Sequence, residues 1–115
     1  MGKSRNKYNA RKTMIDGIVF DSKAEAERYL FLKSEEQAGN ISNLCCHPRY
    51  VLQPSFKVDG KTIRAITYTA DFSYTSLKGI PIVEDVKGVK TAVYNLKKRM
   101  FLYQYPDLYF QEVKA

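Results

Sequence analysis

The sequence predicts an α/β domain: a mixed four-stranded sheet flanked by helices. Two long segments with helical periodicity and four β-rich segments lie in the order helix, three strands, helix, strand. Short Gly-containing turns separate the first three strands, which should therefore pair antiparallel. The fourth follows a crossover helix, so it should lie parallel to the third through a right-handed connection.

The elements follow in chain order. Residues 1–15 lack periodicity and form a basic arm, and residues 16–115 form one domain. Asp16-Gly17 is a turn signal, and Ile18-Val19-Phe20 is a short apolar lead-in. Asp21 or Ser22 caps a helix over 22–38 that Gly39-Asn40 ends. Residues 49–58 form a strand whose Pro54 points to an edge or a bulge. Asp59-Gly60 turns it into a long β-rich run over 62–75. After Leu77-Lys78-Gly79 comes a strongly apolar central strand over 80–86, closed by Gly88. A second helix covers 91–104 and stops before Pro106, and 108–113 is the last strand.

A chain of 115 residues with 44% hydrophobic content is an ordinary single globule. No apolar run approaches the roughly 18 residues of a membrane span. The basic N-terminus is not followed by the apolar stretch of a signal peptide. Both features predict a cytoplasmic protein without a membrane partner. The net charge of +7 is concentrated in the arm, where Lys3, Arg5, Lys7, Arg11 and Lys12 stand with no acid. Such an arm on a mildly basic body suits a polyanion such as nucleic acid, although a solvated tail has the same composition. The adjacent Cys45-Cys46 cannot staple distant segments and should be free thiols. With His47 they make a poor zinc spacing.

The acids carry the chemistry. Asp71 stands alone at Thr69-Ala70-Asp71-Phe72, and Val83-Glu84-Asp85-Val86-Lys87-Gly88 follows at hairpin distance. Strand alternation puts Asp85 and Lys87 on one face and Glu84 on the other. Antiparallel neighbours would bring Asp71 beside Asp85. Two such carboxylates can hold Mg²⁺, and a lysine nearby can steady a hydrolytic water or developing phosphorane charge. A surface ion pair between Asp85 and Lys87 would leave the same pattern. At about 100° per residue, Glu25 falls between Tyr29 and Leu32 on the apolar face of the first helix. It fits either a metal site or a capping box with Ser22. The second helix carries Lys90, Tyr94, Lys97 and Phe101 on one stripe with Lys98 at its flank, and Val93, Leu96, Met100 and Tyr103 as the expected core face. Five basic residues and no acid lie from Lys87 to Arg99. A basic and aromatic stripe of this kind suits DNA phosphates, and a solvated lysine face has the same pattern.

These residues resemble the PD-(D/E)xK nuclease superfamily, the restriction-endonuclease-like fold with an αβββαβ core. Asp71 matches the isolated acid, Asp85-Val86-Lys87 the tripeptide, and Glu25 the glutamate that the first helix often adds. Ala70 stands where the motif's name has proline. More narrowly, Phe20-Asp21-Ser22-Lys23-Ala24-Glu25-Ala26-Glu27-Arg28-Tyr29 and Ala65-Ile66-Thr67-Tyr68-Thr69-Ala70-Asp71-Phe72, with the Val83–Gly88 segment, are similar to small phage and prophage proteins of unknown function. That likeness spans residues 15–114. It implies a Mg²⁺- or Mn²⁺-dependent DNA endonuclease, in the host cytoplasm if phage-encoded. Asp71, Asp85 and Glu25 would bind the metal and Lys87 would assist catalysis. Lys90, Tyr94, Lys97, Lys98 and the arm would hold DNA. The expected substrate is branched DNA such as a Holliday junction, cut by a homodimer. Two rivals are a non-catalytic DNA-binding module of the same fold and a phage structural or adaptor protein.

Overall fold

A computed structural model describes residues 12–115. Their body opens with a hairpin of β1 (Thr13–Ile15) and β2 (Ile18–Phe20). Asp16 and Gly17 take φ of 54° and 77°, the mirror-image turn that suits the twist of paired strands. Thr13, Met14 and Ile15 therefore belong to a strand, not to the expected arm. Ile15, Ile18 and Phe20 pack against α1 (Lys23–Gln37), and the Tyr29 hydroxyl donates to Asp16 Oδ2 at 2.7 Å. Ser22 caps α1 by accepting from the Glu25 N–H at 3.1 Å, and Gly39 at φ 82° ends it. Ala26, Tyr29 and Leu32 form its buried stripe.

Residues 41–76 form one long hairpin broken twice. Its outgoing arm is β3 (Ile41–Cys46), β4 (Arg49–Gln53) and β5 (Phe56–Val58). Asp59-Gly60 turns the chain, as expected, at φ 49° and 78°. The return arm is β6 (Lys61–Ile63), β7 (Ile66–Thr69) and β8 (Phe72–Ser76). The pairs are β3 with β8, β4 with β7 and β5 with β6, all antiparallel. The first break sets His47-Pro48 opposite Ala70-Asp71. Pro48 has no N–H to give the ladder, and His47 takes φ 56°. Two bonds still bridge the break: His47 N–H to Asp71 O at 2.9 Å and Ala70 N–H to Pro48 O at 3.0 Å.

A short turn leads into β9 (Pro81–Lys87), which is followed by α2 (Ala92–Gln104) and β10 (Tyr109–Lys114). The main sheet has four strands in the order β10-β9-β8-β3. β9 lies antiparallel to β8 and parallel to β10, as expected. The first strand of this sheet, however, is β3. The expected strand over 49–58 is β4 and β5, which lie in two-stranded extensions beyond the break. A bulge between Ser42 and Cys45, with Asn43 at φ 57°, breaks the alternation of β3 and hides it from a period-two reading.

Helix α1 covers one side of the sheet, burying Phe72, Tyr74 and Val86. Helix α2 covers the other, burying Tyr68, Ala70 and Val83 with Leu52 from β4. α2 is rotated away from the expected face. Tyr94 and Phe101 are its buried residues and Met100 packs half-buried against the core, while Val93, Leu96 and Tyr103 are exposed. Both stripes are apolar enough to serve, and aromatic area decides between them. The Phe101 ring lies 5.0–5.7 Å from those of Tyr50, Tyr68, Tyr105 and Phe110. Among the described residues no helix is long and apolar enough to cross a membrane.

Phe101→Ala should lower stability by about 3–5 kcal/mol, whereas Val93→Ser should stay within about 0.5 kcal/mol of the parent. Urea denaturation of both variants measures this. A larger loss at Val93 would mean that α2 is rotated as the sequence suggested.

Candidate functional site

Strand β9 places two acids side by side in the core: Glu84 is 0% exposed and Asp85 1%. Alternation sends them to opposite sides of the sheet. On the α1 side, Arg28 grips Glu84 with two bonds, Nε to Oε1 at 2.8 Å and Nη2 to Oε2 at 2.7 Å. The Tyr74 hydroxyl also donates to Glu84, and Gln111 Nε2 approaches at 3.3 Å. Glu84 is thus fully engaged in a structural ion pair. Arg28, three residues after Glu25, ties α1 to β9.

On the other side, Asp85 accepts from the Tyr68 hydroxyl and lies 3.2 Å from Lys87 Nζ. The Lys87 ammonium sits over the Tyr94 ring, 4.4 Å from its centroid. Asp71 stands at the hairpin break, where β7 gives way to β8. Its N–H donates to Glu84 O at 3.1 Å, and its Oδ2 accepts from the Val86 N–H at 2.6 Å. The Asp71 carboxyl lies against that of Asp85. Burial, then the Asp85 charge, push the Asp71 carboxyl up to about 9, with Glu25 adding a smaller push.

Glu25 enters from the first turn of α1. Its N–H makes the Ser22 cap, while its carboxylate turns inward to Asp71 and to His47, whose Nε2 is 3.9 Å from Oε1. Oε1 is buried without a hydrogen-bond partner. Burial, followed by the Asp21 charge, raises the pKa of Glu25. Glu25 and Lys87 both line a cleft of about 410 Å³ between the start of α1 and the end of β9. Asp71 and Asp85 lie behind this wall, bonded to two of its members: Asp71 to the Val86 N–H and Asp85 to Lys87.

The structure therefore gathers Glu25, Asp71, Asp85 and Lys87. It also adds His47, which the sequence offered only within the Cys45-Cys46-His47 triplet. The two cysteines are free thiols. Among the described residues no group of three or more His, Cys, Asp or Glu is already arranged to hold a metal ion. Asp71 and Asp85 direct oxygens at protein donors instead. Carboxylate oxygens of this kind, with Glu25 Oε1 buried and without a hydrogen-bond partner, are the donors that a hard divalent cation such as Mg²⁺ takes.

The expected DNA-contact residues are not alike. The Tyr94 ring is in the core under Lys87, and its hydroxyl donates to Glu112 Oε2 at 2.6 Å. Lys90 and Lys98 pair with Glu112 at 3.0 and 3.1 Å, and Lys97 is half-buried. Tyr94 and both lysines hold the Glu112 carboxyl down at about 2. Lys12 is exposed. Lys3, Arg5, Lys7 and Arg11 lie outside the described residues.

Residues 5–115 match the family model described as protein of unknown function (DUF1064). The chain belongs to that family. No curated protein and no solved structure matches it. In this DUF1064 member the fragments that carry the acids, α1, β7–β8 and β9, all fall inside the matched span.

The raised Asp71 pKa has a consequence for the metal-free protein. Between the ordinary value of 3.8 and about 9, the folded state keeps a proton that the unfolded chain has released. Stability contributed by this group is full below pH 3.8 and is lost as pH rises towards 9. Glu25 acts in the same direction. In chelator, urea midpoints should fall from pH 5 to pH 9, and Asp71→Asn should flatten that decline and raise the midpoint at pH 8. An unchanged slope in the variant would remove Asp71 as its source.

Proposed function

We propose that this protein is a divalent-metal-dependent DNA endonuclease of the PD-(D/E)xK type, with branched DNA as its substrate. One observation carries the reading: the buried carboxyls of Asp71 and Asp85 lie against each other beside Lys87, with the Glu25 carboxylate turned to Asp71 and its Oε1 buried without a hydrogen-bond partner. Buried acids that repel one another are unfavourable unless something positive joins them. The observed order α1, β3, β8, β9, α2, β10 supports the αβββαβ core that the resemblance implies.

Asp71, Asp85 and Glu25 would hold Mg²⁺ or Mn²⁺. When bound, such an ion polarises a phosphate oxygen and lowers the pKa of water. The chain's own residues supply the rest. Lys87 lines the cleft, and the ring beneath it keeps its ammonium at the cleft wall, where it can hold a phosphate oxygen or orient a water. The first turn of α1 opens on the same cleft and presents the positive end of the helix to an anion. His47 stands beside Glu25, within reach of a group placed there. Paired cuts across a junction need two such sites, hence a homodimer.

The rival from another class is a DNA-binding module without turnover. Labelled linear, flap and four-way-junction DNA, offered with Mg²⁺, Mn²⁺ or chelator, separates the two. We expect metal-dependent cutting, strongest on the junction. Lys87→Ala should reduce it by about 10²–10³-fold, and Asp85→Ala should abolish it together with metal binding in calorimetry. Salt-sensitive binding of every substrate without cutting would leave the binding module in its place.

A further inference from the structure

The outer part of the long hairpin packs on no other described element to any substantial extent. Every residue from Pro54 to Ile66 is exposed. Strands β5 and β6 make substantial contact with each other and with no other described element. An isolated two-stranded hairpin is marginal in water. This one keeps three paired positions and a well-formed tip because it continues β4 and β7. Natural proteins blunt or cover exposed strand edges of this kind. This segment has Pro54, Lys57 and Lys61 to blunt its edges, yet it also carries Phe56, Val58, Ile63 and Ile66 at 38–49% exposure.

Charge points to the occupant. Lys57, Lys61 and Arg64 stand against one acid, Asp59, at the tip. The register opposes Phe56 to Ile63 and Val58 to Lys61, so these four share one face, while Lys57 and Thr62 share the other. A ribbon with cations on both faces and apolar side chains on one is unsuited to a protein core and complementary to nucleic acid. B-DNA's major groove admits a two-stranded ribbon, and apolar side chains can wedge between unstacked bases. Asp71 sits at the root of the same hairpin. At about 3.3 Å per residue the tip reaches at most about 35 Å beyond it, close to one helical turn of DNA.

We propose that the β5–β6 hairpin is a DNA-contacting arm whose Lys57, Lys61 and Arg64 hold backbone phosphates while Phe56, Val58 and Ile63 press against unstacked bases at a branch point. The inference rests on the nuclease reading above. It assigns to this arm the preference for branched over linear DNA.

The test compares full-length protein with two variants, Lys57→Ala/Lys61→Ala/Arg64→Ala and Phe56→Ser/Ile63→Ser. Binding to a four-way junction and to a linear duplex of equal length is read by fluorescence anisotropy across a salt series. Urea midpoints check folding, and sedimentation reads the oligomeric state. The charge variant should weaken binding to both DNAs and reduce the salt slope by up to about 3. The apolar variant should lose the junction preference, leaving duplex binding within about twofold. Parent-like DNA binding in both folded variants would overturn the arm and leave the nuclease reading standing. Parent-like binding with a dimer reduced to monomer would instead make the hairpin a contact between copies. A parent protein that binds no DNA at all would overturn both readings together.

Discussion

Two adjacent carboxylates in a strand buried on both faces set the terms for everything around them. Val83 to Val86 form one continuous buried run, and its two central residues are acids. Burying a charge without a counter-charge is prohibitive, so each side of the sheet must answer its own. The α1 side answers with Arg28, Tyr74 and Gln111, which satisfy Glu84 completely. The α2 side answers Asp85 with Tyr68 and Lys87 and then places Asp71 against it, which restores a deficit of positive charge. One acid is closed into structure and its neighbour is left poised. That asymmetry separates a core ion pair from a candidate reaction centre on the same strand.

The Glu84–Arg28 pair has a second effect. Arg28 lies one helical turn after Glu25, so the pair fixes the rotation and depth of α1 against β9. With Tyr29 tied to Asp16 and Leu32 in the core, Glu25 is left to face the hairpin break. That break supplies the remaining geometry. Pro48 and the left-handed His47 let the hairpin leave one sheet and continue into the next, and the same turn delivers His47, Ala70 and Asp71 to the end of β9. The packing that stabilises the sheet thus also positions the acids.

The parts legible in the sequence were those specified by local chemistry. Asp59-Gly60, the Ser22 cap and the alternation of β9 each depend on neighbouring residues and point to the element found, while Asp16-Gly17 marks the turn but not the strand before it. Asp85 and Lys87 followed from that alternation, and Glu25 from the helical wheel. Three features depended on distant partners. Strand β3 was hidden because its bulge cancels the period-two signal. The rotation of α2 is not legible in the sequence, because Val93, Leu96 and Met100 are as apolar as the stripe that is buried. Only the rings of Tyr50, Tyr68 and Phe110, from three other strands, favour Tyr94 and Phe101. His47 joins the site through a backbone turn with no side-chain signature.

The electrostatics bear on the choice between a nuclease and a passive DNA-binding module. A surface that holds only phosphates gains from cations and loses from carboxylates. This protein directs three carboxylates towards one another beside its cleft, and spends Lys90 and Lys98 on Glu112. Such a centre repels a phosphate until a cation enters, and then draws both charges together. Among the described residues, basic side chains outside that Glu112 cluster include Lys57, Lys61 and Arg64 on the hairpin beyond the break and Lys23 and Lys87 on the cleft wall. Attraction at a distance joined to acid at the centre is what the proposed metal-dependent nuclease requires, and it is the feature on which that proposal and a passive binding module differ.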